Sequence, residues 1–261
     1  MKVAVVGCGV MGSAFARHFA KKHSVLLHDR DPMKAQSLAK EIGTAFEENL
    51  TNCLQHADVI LLAIKPKDLS SIAKAASSSL SDNKILISIL AGTPIALLRK
   101  HFPTGAIVRS MPNLALAYGQ GVVGLAESAH LSLETKRIVD SLLEGIGLVA
   151  WMPEDKIEAL TALSGSGIGF VLVMIEAMMD GGVYLGFTAQ EAREFVLKTM
   201  EGAIALMKES GKHPAELKLN IASPGGTTIA GLKVLEEKGV RPGIVHALVA
   251  CHEKAINMQK E

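Results

Sequence analysis

The stretch Ser223-Pro224-Gly225-Gly226-Thr227-Thr228 sets hydroxyls, glycines and a proline where a loop should turn into a helix. Residues 214–222 ahead of it read as a short helix. Residues 229–238 behind it carry Ile229, Leu232 and Leu235 at helical spacing. Pro224 has no N–H to give and helps turn the chain, and the two glycines reach torsions that other residues avoid. Unpaired N–H groups at a helix start, with hydroxyls beside them, attract a small anion through aligned donors and the helix dipole. A carboxylate suits that arrangement best. A Gly-rich turn closed by a Ser or Thr cap has the same composition, and the loop alone does not separate the two.

A second constellation stands at the other end. The apolar run 3–6 leads into Gly7-Cys8-Gly9-Val10-Met11-Gly12, and a helix-compatible run, 13–21, follows at once. In this strand–turn–helix setting the first glycine permits the tight turn and the second lets a pyrophosphate approach the backbone. The third packs helix on strand, so the whole reads as a dinucleotide fingerprint. Residues Gly7, Cys8, Gly9, Val10, Met11 and Gly12 are therefore candidate cofactor residues. A second strand, 25–28, ends in Asp29-Arg30-Asp31. Asp29 is suited to accept a ribose hydroxyl, which favours NADH, whereas Arg30 is suited to pair with an added phosphate, which favours NADPH. Arg30 and Asp31 join the candidates, with NADPH expected and NADH possible.

Ligands of a doubly wound sheet sit beyond the carboxyl ends of its strands. Two further strand ends fit. Ala63-Ile64-Lys65-Pro66 offers a lysine that can reach phosphate or ribose, or that is merely solvated. Leu90-Ala91-Gly92 offers small residues against which a nicotinamide ring can lie, or an ordinary turn.

The elements that must position these residues alternate. After the first strand–helix–strand unit come a helix near 33–41, a strand 59–64, a helix after Lys67, a strand 85–90 and a helix 94–100. Shorter strands follow at 107–109, 122–125 and 148–151. Apolar strands alternating with helices predict a parallel doubly wound α/β sheet covered on both faces. Ser77-Ser78-Ser79 is expected to join helix to strand. From Pro153 onward the pattern is helical. Thr188 with Glu191 is a capping box, and Ala192, Phe195, Val196, Thr199, Met200, Ala203, Ile204 and Met207 form one stripe that stops at Gly211. Val245, Leu248, Val249, His252 and Ile256 repeat the spacing in the last helix, with His252 as a structural histidine. Residues 1–152 and 153–261 are thus the expected domains.

The chain has 261 residues, 27 Lys plus Arg, 26 Asp plus Glu, and a net charge of +1, which gives no reason to expect nucleic acid or membrane as partner. Cys8, Cys53 and Cys251 are odd in number and far apart, which argues against a disulfide framework or a zinc cluster and for a reducing compartment. The chain starts directly with a strand, so no signal peptide is expected and the cytoplasm is the expected location. Residues 168–179, broken by Glu176 and followed by Asp180, read as a buried helix too short to span a bilayer. Hydrophobic residues make up 49% of the chain, and its mean hydropathy is +0.30. That is more apolar surface than a monomer hides, and an oligomer is expected.

Taken together, these residues resemble the pyrroline-5-carboxylate reductases over essentially the whole chain. The resemblance rests on the N-terminal glycine motif, Ala63-Ile64-Lys65-Pro66, Ala91-Gly92, Arg109-Ser110-Met111-Pro112-Asn113 and Leu163-Ser164-Gly165-Ser166-Gly167. Above all it rests on Ser223 to Thr228 with His213-Pro214 ahead. It implies reduction of 1-pyrroline-5-carboxylate to L-proline, a Rossmann-type sheet domain followed by an all-helical dimerisation domain, and a dimer or ring of dimers. It implies further that Ser223 and the amides around Gly226 and Thr227 hold the substrate carboxylate, that Thr228 is the catalytic hydroxyl at the ring nitrogen, and that Glu154 lies near the substrate. Asn220 is expected to contact the cofactor from the helical domain and Asn49, or Asn52, from the adenosine side.

The chain departs from the family pattern at Ile168-Gly169, where Pro-Ala is usual after Ser-Gly-Ser-Gly, and at Leu114-Ala115, where Thr-Pro is usual after Met-Pro-Asn. A β-hydroxyacid dehydrogenase or imine reductase on the same scaffold would place a catalytic lysine further along the first helix than Lys156. A sensor that had lost its chemistry would show a degraded hydroxyl loop.

Overall fold

In the first part of the chain, strands with both faces apolar alternate with helices of one apolar face, and the sheet they build has a core layer on each side. The computed structural model describes residues 1–76, 81–103 and 105–259; Ser77-Ser78-Ser79, the expected helix-to-strand link, lies outside the described residues. The elements run β1 (Lys2–Val6), α1 (Val10–Phe19), β2 (Ser24–His28), α2 (Pro32–Ile42), β3 (Ala45–Phe46), α3 (Leu50–Gln55), β4 (Val59–Leu62), α4 (Leu69–Ala76), β5 (Ile85–Ser88), α5 (Ile95–His101), β6 (Ala106–Pro112), β7 (Gly121–Glu127), α6 (Leu133–Leu142) and β8 (Gly147–Pro153). The strand order is β3-β2-β1-β4-β5-β6-β7-β8, and it reverses between β1 and β4, where Val3 pairs with Val59.

The strand period of two sorts the core. Val3, Val5, Val59, Leu61, Ile85 and Ile87 face Phe15, Phe19 and Leu38 on one side. Ala4, Val6, Ile60, Leu62 and Leu86 face Leu54, Leu69 and Leu98 on the other. The sheet is parallel and doubly wound as expected except at one ladder, where β6 and β7 run antiparallel. The link between them holds a single 3-10 turn, Leu114–Tyr118, too short for the crossover that a parallel pair requires.

After β8 the chain is helical: α7 (Ile157–Leu160), a π-helical stretch Thr161–Ser166, α8 (Gly167–Tyr184), α9 (Ala189–Ser210), α10 (Pro214–Ile221), α11 (Thr227–Glu237) and α12 (Val240–Met258). Packing divides the chain into two compact units, Met1–Gly165 with Cys251–Glu261, and Ser166–Ala250. The change of secondary structure thus precedes the change of packing, and the last turns of α12 group with the sheet.

Within the second unit the Thr188–Glu191 capping box starts α9, and Gly211 ends it at φ 64°. Gly182 of α8 lets Ala192 approach, and the Phe187 and Phe195 rings meet edge to face at 5.5 Å. The buried helix expected at 168–179 is instead exposed on the single chain, with Leu172 at 58% and Val173 at 62% exposure. Much of the α9 stripe is exposed too, Phe195, Ile204 and Met207 among it. The expected shortness is corrected as well. Glu154–Tyr184 is one helical run of 31 residues, long and apolar enough by length and composition to cross a membrane.

Candidate active site

The glycine turn shows why it needs glycines. At Gly7, φ is 104°, and a Cβ there would lie 2.4 Å from the Ala63 carbonyl oxygen; one on Gly12 would lie 1.8 Å from the Gly7 carbonyl oxygen. Nothing stands within 4 Å of a Cβ on Gly9. Gly9 caps α1 without a side-chain hydrogen bond, so the N-terminal N–H groups of this helix face open space. A cleft of about 390 Å³ begins there, lined by Gly7, Gly9, Asp29, Arg30, Lys34, Ala63, Ile64, Lys65, Asp68 and Ser71. It lies at the carboxyl ends of β1, β2 and β4, beside the point where the strand order reverses. A backbone cradle with no Cβ, a helix N-terminus and nearby Arg30, Lys34 and Lys65 fit a dinucleotide.

Asp29, the expected ribose acceptor, lines this cleft and also holds the backbone. One carboxylate oxygen accepts from Cys8 N at 2.6 Å and the other from Asp31 N at 2.9 Å, so Asp29 stitches β2 to the glycine turn. Asp31 caps α2 by accepting from Met33 N at 3.1 Å, and Asn49 caps α3 by accepting from Asn52 N at 3.1 Å. Arg30 is left extended and exposed, 3.5 Å from Asp68. Lys34 and Ser71 join the lining, and the sequence carried no sign of them, since a lysine or serine on a helix surface is ordinary composition. Val10 and Met11 form the first turn of α1, with Val10 exposed and Met11 half-buried. The Cys8 thiol is pushed up to about 12, first by burial and then by Asp29, and stays protonated. Pro66 opens a 3-10 turn capped by Lys65. Ala91 precedes Gly92, which sits at φ 64°.

The hydroxyl loop lies in the second unit. Gly225 takes φ 69°, and Gly226 N donates to Ser223 O at 3.0 Å, closing the turn. Gly226 caps α11 with no side-chain hydrogen bond. A Cβ on Gly226 would lie 2.3 Å from Ser223 Oγ, so the absent side chain lets that hydroxyl fold over the helix start. The hydroxyls of Thr227 and Thr228 have no hydrogen-bond partner among the described residues, and both threonines are exposed. Asn220, also exposed, stands near the end of α10.

Two motifs far apart in sequence meet in the first unit. Asn113 Nδ2 donates to Ser164 Oγ at 2.8 Å, joining the β6–β7 link to the π-helical stretch. Arg109, 1% exposed, donates through Nη2 to Glu158 and through Nη1 to Glu154 Oε1 at 3.3 Å. The same Glu154 oxygen accepts from Ile95 N at 2.7 Å. Glu154 borders a larger and shallower hollow of about 660 Å³ along α5, with Arg99, Glu127 and His130. That hollow has no glycine cradle. Lys156 is exposed in the turn ahead of α7.

Known proteins show the same organisation. A family model described as pyrroline-5-carboxylate reductase dimerisation matches residues 154–258, and one described as NADP oxidoreductase, coenzyme F420-dependent, matches residues 2–92. A pyrroline-5-carboxylate reductase of Aquifex aeolicus is 38% identical over 98% of this chain and 96% of its own, and one of Escherichia coli is 31% identical over 99% and 98%. The crystal structure of Plasmodium falciparum pyrroline carboxylate reductase with NADP bound superposes with a TM-score of 0.90 at 28% identity, covering 99% of this chain and 98% of that one. With full-length relatives above 30% identity and a sheet and helical region that match theirs, this chain belongs to the pyrroline-5-carboxylate reductase family.

Proposed function

We propose that this chain reduces 1-pyrroline-5-carboxylate to L-proline with NADPH. The observation that carries the reading is the hydroxyl loop: an α11 N-terminus without a side-chain cap, the Ser223 hydroxyl folded over Gly226, and two threonine hydroxyls without partners among the described residues. A ring bearing one carboxylate suits it. Ser223 and the Thr227 N–H take the carboxylate beside Gly226, whose own N–H closes the turn on Ser223 O, and the ring N–H donates to Thr228 Oγ1. The protonated imine carbon is already electrophilic, so no strong general acid is required, and positioning is the protein's main task. The cofactor supplies the hydride that adds to this carbon, while the C=N pair moves onto nitrogen.

Gly7 to Gly12 and Ala63 to Pro66 hold the dinucleotide, Ala91 lies along the nicotinamide, and Asn49 and Asn220 are assigned to its outer contacts. Arg30 and Lys34 favour the phosphorylated cofactor. Asp29 accepts from two backbone N–H groups, one on each oxygen, and lines the cleft. Residues 1–152 form the cofactor domain and 153–261 the oligomerisation and substrate domain. A second copy covers the exposed face of α8 and α9, giving a homodimer or a ring of dimers in the cytoplasm. The exposed apolar face of Glu154–Tyr184 is read as this interface, since the matching family model is a dimerisation model.

The test is NADPH absorbance on adding 1-pyrroline-5-carboxylate, together with growth without proline of a reductase-deficient bacterium. Oxidation of NADPH by the substrate and rescue of growth are expected. Activity on 3-hydroxy acids alone, or dinucleotide binding without turnover, would replace the reading with a dehydrogenase or a sensor.

A further inference from the structure

The loop between β5 and α5 carries Ala91 and Gly92, and its conformation is set from outside. Gly92 sits at φ 64°, with the Met258 backbone only 3.0 Å from where a Cβ would stand. Thr93 is buried, and its hydroxyl donates to the Ala91 carbonyl at 3.2 Å. At the downstream end, Pro94 caps α5 and has no side-chain hydrogen bond to give. The N–H of Ile95, the first residue of that helix, is satisfied by Glu154 Oε1 at 2.7 Å, from a carboxylate 59 positions along the chain.

Charge balance shows what Glu154 is for. Arg109 is buried, and a buried guanidinium needs one carboxylate. Glu158, itself 5% exposed, already supplies it through Nη2. Glu154 is a second carboxylate on a single cation, and its contact with Arg109, at 3.3 Å, is longer than its contact with Ile95 N. Its closest partner is a helix N-terminus, where a negative group is favoured by the orphan donors and the dipole. Arg109 Nη1 helps to aim this carboxylate.

We propose that Glu154 is a positioning residue. It does not touch the substrate; it caps α5 from a distance and thereby holds the Ala91–Gly92 loop at the height the nicotinamide ring requires. This rests on the reductase reading for the loop's place beside the nicotinamide, and it replaces the substrate contact that the family resemblance implies for Glu154.

The experiment uses the full-length protein with Glu154→Ala and Glu154→Gln. Binding of NADPH without substrate is followed by nicotinamide emission, and turnover by steady-state kinetics. Glu154→Ala should weaken the emission change and lower kcat ten- to hundredfold, as expected of a misplaced reacting group. Its KM for 1-pyrroline-5-carboxylate should stay within about threefold of the parent. Glu154→Gln keeps an oxygen acceptor for Ile95 N–H and should recover most of the loss. A tenfold or larger rise in that KM in both variants, with the NADPH emission unchanged, would overturn the proposal in favour of a substrate contact. Parent-like behaviour of Glu154→Ala would overturn it too. Should Glu154→Ala not fold, Glu154→Gln decides alone, since a charge contact to the substrate is lost in it and the cap is kept. If the parent bound NADPH but did not turn over this substrate, the reductase reading would fail, whereas the emission of the variants would still report on the loop.

Discussion

The two units of this chain solve the burial problem in opposite ways. In the first, the sheet puts Val3, Val5, Leu61 and Ile87 into one core layer and Val6, Ile60, Leu62 and Leu98 into another, all essentially inaccessible. In the second, Ala192, Val196 and Leu217 are the buried apolar residues, while Leu172, Val173, Phe195, Ile204 and Leu219 stand exposed. A helical unit with so small a core has little apolar burial to offset the conformational entropy of folding. The first unit buries its apolar residues within one chain, and the second leaves many of its own exposed. An apolar sequence therefore reports that a surface will be covered, but not by what.

That contrast can be broken most directly by placing the same substitution on two exposed leucines. Leu172→Glu, on α8, should abolish assembly, because a charge left unpaired in a closed interface costs about 3–5 kcal/mol. Leu133→Glu, on α6 of the first unit and 74% exposed, should leave mass and stability unchanged. Light scattering and thermal unfolding decide. A Leu172→Glu protein with the parent's mass would show that α8 is not an interface.

Within the first unit, two glycines of the same turn should part company. Gly12→Ala forces a Cβ against the Gly7 carbonyl and should cost at least about 3 kcal/mol of stability. Gly9→Ala meets open space and should keep the melting temperature. Its NADPH affinity should nevertheless fall about tenfold, some 1.4 kcal/mol, since the methyl group occupies the cradle. Equal losses of stability in the two variants would mean that the cleft is only packing.

The second unit has its own version of that comparison in the hydroxyl loop. Thr228→Ala should lower kcat roughly ten- to a hundredfold, the loss of one oriented hydrogen bond of about 1–3 kcal/mol, with NADPH affinity kept. Thr228→Ser should recover most of it, and Thr227→Ala, which retains its N–H, should be milder. A fully active Thr228→Ala beside a dead Thr227→Ala would reverse the two roles.

The smallest effect belongs to His18, at the end of α1. Burial first, then Lys21, holds its pKa below the ordinary value, so the folded state prefers the neutral ring and the unfolded chain binds the extra proton. Its stabilising contribution is therefore present above about pH 6.5 and is lost as the pH falls below that value. Denaturant midpoints should drop more between pH 7 and pH 5 for the parent than for His18→Gln. Parallel profiles would remove His18 from the balance.

What could be read in the residues was local. Gly7 to Gly12, the apolar strands and their carboxyl ends, the Thr188–Glu191 cap, the Gly211 stop and the loop from Ser223 to Thr228 are each settled by torsions and periodicity within a few residues of themselves. The short elements β3 and α3 escaped because two and six residues leave no periodic pattern, and the ten-residue α6, with Val139 and Leu142 as its buried positions, was not read either. Three features needed the fold itself. The antiparallel β6–β7 ladder depends on a link too short for a crossover. Asp29 reaches back 21 positions to accept from Cys8 N. Arg109, Glu154 and Glu158 meet across 45 and 49 positions. Charged side chains gain or lose availability by the partners they find, and partners that distant are brought together only by the packed sheet. The sequence alone determined which backbone turns can receive an anion; tertiary structure decided which carboxylates remain free and which are spent on the protein's own N–H groups.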